Sequence, residues 1–205
     1  MSINIGINGF GRIGRQILRI IAEENLDINI VAINGRSDLG TYKHLLKYDS
    51  AYGKLNIEVK NDNNFLYVGD RKIRFFNKNN PSEIPWEEEN VDIVIESTGK
   101  FNSKEKASAH LDKGVKKVLL TAPGKDEDAT IVLGVNEDIY DNKIHHIISN
   151  SSCTTNCLAP IIKILEDNYT IKSGFMTTIH SYTNDQNILD NSHKDLRRAR
   201  AGASS

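Results

Sequence analysis

Six residues near the start of the chain, Gly9-Phe10-Gly11-Arg12-Ile13-Gly14, restrict the fold more than any other segment. They follow an alternating apolar run, Ile3–Asn8. They precede a stretch in which Ile13, Ile17, Leu18, Ile20 and Ile21 recur at helical spacing. The G-x-G-x-x-G pattern carries meaning only in that setting, with a strand before it and a helix after it. Gly9 then permits the tight turn, Gly11 lets backbone approach a pyrophosphate, and Gly14 lets the helix pack closely on the strand. The helix N-terminus attracts the anion. The three glycines are therefore candidate cofactor contacts.

Further along, strand and helix signals keep alternating. Ile28–Ile33 reads as a second strand and Leu39–Leu46 as a short helix. Leu55–Asn77 holds alternating stretches separated by Asn/Asp/Gly clusters, which predicts antiparallel strands. Val91–Ser97 is a nearly continuous apolar strand of the kind buried on both faces of a parallel sheet. Ser103–Leu111 reads as helix, and Lys117–Thr121 and His145–Ser149 as strands. This order predicts an α/β fold of Rossmann type, a doubly wound parallel sheet. After Ser149 the pattern changes. Polar residues Asn150–Asn156 lead into a helix through Ile161, Ile162 and Leu165, and Gly174–His180 reads as an extended run. A domain boundary is expected there, with one domain over residues 1–150 and the start of another over 151–205.

Composition narrows the function classes. With 205 residues and a formal net charge of -1, the chain has no global attraction for nucleic acid or anionic membranes. No apolar run reaches membrane-spanning length, and the N-terminus lacks the features of a signal or transit peptide. Two cysteines, Cys153 and Cys157, make no disulfide framework. A cytoplasmic protein binding neither nucleic acid nor membrane is expected.

The end of the second strand bears on the cofactor. Folds of this type that bind NAD place an acid there for the ribose hydroxyls. Here the sequence is Asn34-Gly35-Arg36-Ser37-Asp38. Gly35 stands at the acid's position, and Arg36 and Ser37 suit the 2′-phosphate of NADP. The alternative is that Arg36 and Ser37 face water while Asp38 does the acid's work.

Ser151-Ser152-Cys153-Thr154-Thr155-Asn156-Cys157 places a thiol where a helix should begin, and free N–H groups there stabilise a thiolate. His180, at the end of the later extended run, would lower the thiol's pKa and shuttle protons if it stood beside it. A buried structural cysteine and a satisfied core histidine are the alternative.

Ile7-Asn8-Gly9-Phe10-Gly11-Arg12-Ile13-Gly14-Arg15 closely resembles the N-terminus of the phosphorylating glyceraldehyde-3-phosphate dehydrogenases. Ser149–Cys157 resembles their active-site signature, with Ser151 where alanine is usual. His180–Gln186 and His193–Arg200 resemble later blocks, and the likeness runs in unbroken order from Ile3 to Gly202. The resemblance implies that Cys153 attacks an aldehyde and that His180 activates the thiol. The resulting thioester is then cleaved by inorganic phosphate, with hydride passing to NAD or NADP. It assigns Ser152, Thr154, Thr183 and Arg198 to the substrate and phosphate sites. It carries Arg12, Ile13, Thr121 and Asn79 over to the cofactor, Asn79 standing where the family often has arginine. Asn191-Ser192 replaces the Leu-Pro pair common in NAD-specific members, and Ser192 resembles NADP-using ones. The family is homotetrameric. Its catalytic domain continues well beyond residue 205, so residues 151–205 are expected to be only the opening of an α+β catalytic domain. Two rival readings stand beside this one: an erythrose-4-phosphate dehydrogenase of the same fold, and an inactive cofactor-binding fragment.

Overall fold

The protein is described from a computed structural model covering residues 3–186 and 188–199. Arg200, which ends the His193–Arg200 block, and Gly202 at the end of the resemblance lie outside the described residues. By internal contacts the chain divides into two compact units, Met1–Asn168 and Tyr169–Ser205.

The first unit is built on strands and helices in close alternation. In chain order they are β1 (Asn4–Asn8), α1 (Arg12–Glu23), β2 (Asn29–Asn34), α2 (Leu39–Lys47), β3 (Tyr48–Asp49) and β4 (Gly53–Lys54). There follow β5 (Val59–Asn61), β6 (Phe65–Val68), β7 (Arg71–Phe76), β8 (Ile93–Glu96) and α3 (Lys104–Ala107), the last continued by a 3₁₀ turn, Ser108–Lys113. The unit closes with β9 (Lys117–Leu120), β10 (Ala129–Thr130), β11 (Ile147–Ser149) and α4 (Cys153–Asn168).

Among the described residues, nine strands form one sheet in the order β10-β11-β9-β8-β1-β2-β7-β6-β5. β1 pairs in parallel with β2 on one side and β8 on the other, and β8 with β9. The antiparallel strands expected in residues 55–77 are β5, β6 and β7, the last joining β2 in parallel.

Each face of the sheet is covered, which is why the central strands read as apolar runs. Ile7, Leu18, Ile21, Ile30, Leu46 and Ile73 pack together in one cluster, and Trp86, Val94, Val118, Leu120 and Ile147 in another. Each such aliphatic side chain contributes about 1.5–3 kcal/mol by leaving water. Gly6 is fixed by this arrangement, since a Cβ there would lie 2.7 Å from the Trp86 ring.

In the second unit the expected extended run departs from the prediction. Among the described residues, 174–180 form no strand, and Phe175 and Ile179 are fully exposed. An apolar run alone makes no strand, because the ladder's hydrogen bonds come from a neighbour. Among the described residues no helix is long and apolar enough to cross a membrane.

Candidate active site

The chain runs from β1 to α1 and then to β2 on one side, but β8 joins β1 from the other. The crevice at this change of direction opens at the carboxyl ends of the strands, where ligands of doubly wound sheets bind. A cleft of about 340 Å³ lies there. Gly9, Gly11, Gly35, Arg36 and Asn79 line it, five of the residues singled out from sequence. Arg12, Ile13, Gly14, Ser37 and Thr121 are not among its lining residues.

The three glycines of the turn are there for different reasons. Gly9 has φ +95, and a Cβ would meet the Thr98 N–H at 2.6 Å. At Gly14 a Cβ would meet the Gly9 carbonyl at 2.4 Å, so this glycine lets α1 close on β1. Gly11 has no heavy atom within 4 Å of a Cβ, so protein packing does not demand a glycine there. It is the N-cap of α1, with no side-chain cap, and the first intrahelical bond described is Arg15 N–H to Gly11 O at 3.1 Å. The N–H groups of Arg12, Ile13 and Gly14 precede that bond and have no intrahelical acceptor. A bare helix end beside an open glycine fits a pyrophosphate.

Arg12 itself is half exposed and paired with Asp49, which also accepts from Gln16 at 3.1 Å. The Tyr52 N–H, with the Ala51 N–H and Arg12, holds the Asp49 carboxyl below the usual range against the opposing effect of burial. Thr121, just beyond β9, donates through its hydroxyl to the Glu96 carbonyl at 3.2 Å.

Arg36, Lys78 and Lys100 line the cleft, and among the described residues no carboxylate does. Asp38 is engaged elsewhere as the N-cap of α2. It accepts from the Thr41 N–H at 2.9 Å and the Thr41 hydroxyl at 2.7 Å. The Thr41 hydroxyl, then its N–H, hold the Asp38 carboxyl below its ordinary value.

Beneath the cleft lies a buried polar network. Glu96 and His110 are fully buried. Glu96 Oε2 accepts from Asn8 Nδ2 at 2.5 Å and lies 3.2 Å from His110 Nε2, while Oε1 accepts from the Thr98 N–H at 2.8 Å and from the Thr98 hydroxyl. Trp86 Nε1–H donates to His110 Nδ1 at 2.9 Å. With Nδ1 accepting, the imidazole proton sits on Nε2 and faces Glu96. Asn34 donates to the Asn8 side chain and clamps the Lys78 backbone through both its carbonyl and its N–H. One network thus fixes the loops that follow β2, β7 and β8.

Ser149, the last residue of β11, delivers the thiol. Its hydroxyl donates to the Ala122 carbonyl and accepts from the Gly124 and Ser151 N–H groups. Ser151 takes φ +61, and the chain turns into α4 with Cys153 as its first residue. The Ser152 hydroxyl accepts from the Thr155 N–H at 3.0 Å, which makes Ser152 the cap, and pairs with the Thr155 hydroxyl at 2.7 Å. Asn156 Nδ2 ties the helix to the Asn150 and Ser152 carbonyls. Cys153 and Cys157 are both exposed and stand one turn apart, and Thr154 between them is half-buried.

His180, Thr183, Ser192 and Arg198 belong to the second unit, whereas Cys153 belongs to the first. His180 is exposed, with Nδ1 2.5 Å from the Ser181 carbonyl oxygen. The Thr183 hydroxyl donates to Gln186 at 3.0 Å. Arg198 pairs with Asp185, which also lies 3.3 Å from His193 Nε2. Ser192 is exposed.

Two family models match the chain. One, described as the NAD binding domain of glyceraldehyde 3-phosphate dehydrogenase, matches residues 3–104. The other, that enzyme's C-terminal domain, matches residues 152–205. Glyceraldehyde-3-phosphate dehydrogenase 2 of Streptomyces avermitilis is 57% identical over 203 residues, covering 99% of this chain and 61% of that protein. Glyceraldehyde-3-phosphate dehydrogenase of Geobacillus stearothermophilus is 55% identical over 205 residues, covering 100% and 61%.

The chain belongs to the glyceraldehyde-3-phosphate dehydrogenase family. It spans about three fifths of the length of these curated relatives. Within the family's dinucleotide-binding domain, the sequence reading missed Lys78, Lys100, Tyr42 and the Ser97-Thr98 pair, all of which line the cleft. Ser97 and Thr98 follow the third central strand at the change of direction, which is a readable signal. The other three reach the cleft only through the fold.

Proposed function

We propose that this chain carries the cofactor domain and the nucleophile of a phosphorylating glyceraldehyde-3-phosphate dehydrogenase, using NADP or both NADP and NAD. The observation that carries the reading is Cys153, an exposed thiol at the first position of a capped sixteen-residue helix. That position favours thiolate over thiol.

In this reading Cys153 Sγ adds to the aldehyde carbon, and His180 takes the proton from the hydroxyl so formed. Loss of that carbon's hydrogen as hydride, for which a bound nicotinamide would be the acceptor, breaks the C–H bond and leaves a thioester on Cys153. The Cys153 N–H at the helix start steadies the developing oxyanion. A phosphate oxygen then attacks the thioester, the C–S bond breaks, and the Cys153 thiolate is regenerated. Ser152, Thr154, Thr183 and Arg198 hold the two phosphates, with Arg198 as the charged fork. Gly9, Gly11 and the N–H groups of Arg12, Ile13 and Gly14 hold the pyrophosphate, with Asn79, Thr121 and Ser192 as further cofactor contacts. Three cations and no carboxylate along the cleft support the 2′-phosphate, and Gly35, Arg36 and Ser37 are its seat. Residues 1–150 form the cofactor domain and 151–205 the opening of the catalytic one. A homotetramer, on the family resemblance alone, and a cytoplasmic location, on the sparse cysteines, complete the proposal.

The test is mass spectrometry of the protein after mixing with glyceraldehyde 3-phosphate and oxidised dinucleotide. An acyl adduct is expected on the peptide holding Cys153, released as acyl phosphate when inorganic phosphate is added. Cys153→Ser should remove the adduct and lower turnover by about 10³-fold or more. Acylation at Cys157 instead, or a persistent adduct in Cys153→Ser, overturns the assignment.

A further inference from the structure

Tyr42, in α2, belongs to no motif, yet it lines the cleft beside Gly35 and Arg36. Its ring stands edge-on to Phe10 of the glycine turn, 5.4 Å between centroids, and to Phe75 of β7 at 6.0 Å. Held there, its hydroxyl oxygen accepts from the Arg36 N–H at 2.9 Å and the Ser37 N–H at 3.2 Å. A phenol oxygen offers two lone pairs, and these bonds occupy both. The phenolic hydrogen has no acceptor among the described residues. Toward a ligand, Tyr42 can therefore only donate.

The same ring decides what residue 35 can be. A Cβ on Gly35 would lie 2.5 Å from both Cε2 and the hydroxyl oxygen of Tyr42. Tyr42 in this position and an acid at residue 35 exclude one another. An acid there would accept hydrogen bonds from the ribose hydroxyls and repel a phosphate. A phenol with both lone pairs occupied does neither, and it suits an oxygen that only accepts.

We propose that Tyr42 is a specificity-determining residue of this cleft, donating its phenolic hydrogen to the phosphate on the ribose 2′-oxygen while Arg36 supplies the charge. Gly35 and Tyr42 then form one exchangeable pair, whose other form is an acid at 35 with a smaller side chain at 42. This rests on the NADP reading above.

The test titrates the 205-residue chain with NADP⁺ and NAD⁺ and melts each variant. Tyr42→Phe keeps the ring and removes the hydroxyl, so the NADP⁺ dissociation constant should rise about 5–20-fold while that for NAD⁺ changes less than about 2-fold. Gly35→Asp alone should lower the melting temperature by about 5 °C or more. Gly35→Asp/Tyr42→Leu should recover it and shift preference toward NAD⁺ by about 10-fold or more. Unchanged or equally weakened binding of both dinucleotides in Tyr42→Phe overturns the proposal, as does a double variant that neither refolds nor changes preference. Arg36→Ala separates the two levels. If the native chain does not favour NADP⁺ and Arg36→Ala alters nothing, the NADP reading falls and the role of Tyr42 with it. If Arg36→Ala weakens NADP⁺ selectively and Tyr42→Phe does not, only the role of Tyr42 falls.

Discussion

In the sheet unit, four donors converge on Glu96, and neither the carboxylate nor its partner His110 reaches solvent. In the unit that begins at Tyr169, Asp185 also gathers two partners, Arg198 and His193, but its side chain stays 54% exposed. The first carboxylate is held by a fold that has already paid the cost of burying it, so every donor around it is required. The second stays about half exposed, as does Arg198, so water would solvate those two separately, while His193 is 12% exposed. The contrast separates a region that positions its functional groups by packing from one that positions them by surface contacts.

Replacing each carboxylate by its amide sharpens this comparison. Glu96→Gln places an NH₂ against N–H donors in either orientation, toward Thr98 or toward Asn8 and His110. It should cost about 2–3 kcal/mol of stability in a denaturant melt and loosen the Lys78 and Thr98 loops enough to weaken dinucleotide binding. A loss below about 0.5 kcal/mol would mean that the network is slack and the comparison fails. Asp185→Asn should cost less than about 0.5 kcal/mol, because exposed ion pairs contribute little. A larger loss would show that the second region is held as firmly as the first.

How much was readable follows the same division. β1, α1, β2 and β8 were legible because alternation and helical spacing report burial, and each strand's partners lie in the same unit. The Gly174–His180 run was read as extended from its apolar residues, without the alternation that reports one buried face, and no strand forms there. The glycine turn was legible as a motif, yet only the packing separates Gly14, required by α1, from Gly11, required by nothing in the protein. Asp38 could have been recognised as a cap from Thr41 three residues on. The convergence of Tyr42, Lys78 and Lys100 could not, because it depends on β7 and β8 joining opposite sides of the β1–β2 pair.

The central claim is that the cleft above β1, β2 and β8 is shaped for a dinucleotide. A paired measurement on Gly11→Ala and Gly14→Ala, melting each chain and titrating it with NADP⁺, tests it most directly. Gly11 has φ −79 and open space around it. The alanine chain should therefore melt within about 3 °C of the native one and bind NADP⁺ about 10-fold more weakly or worse. Gly14→Ala should fail earlier, losing about 2–3 kcal/mol of stability as its methyl meets the Gly9 carbonyl. Undiminished NADP⁺ binding by a folded Gly11→Ala chain would contradict the account.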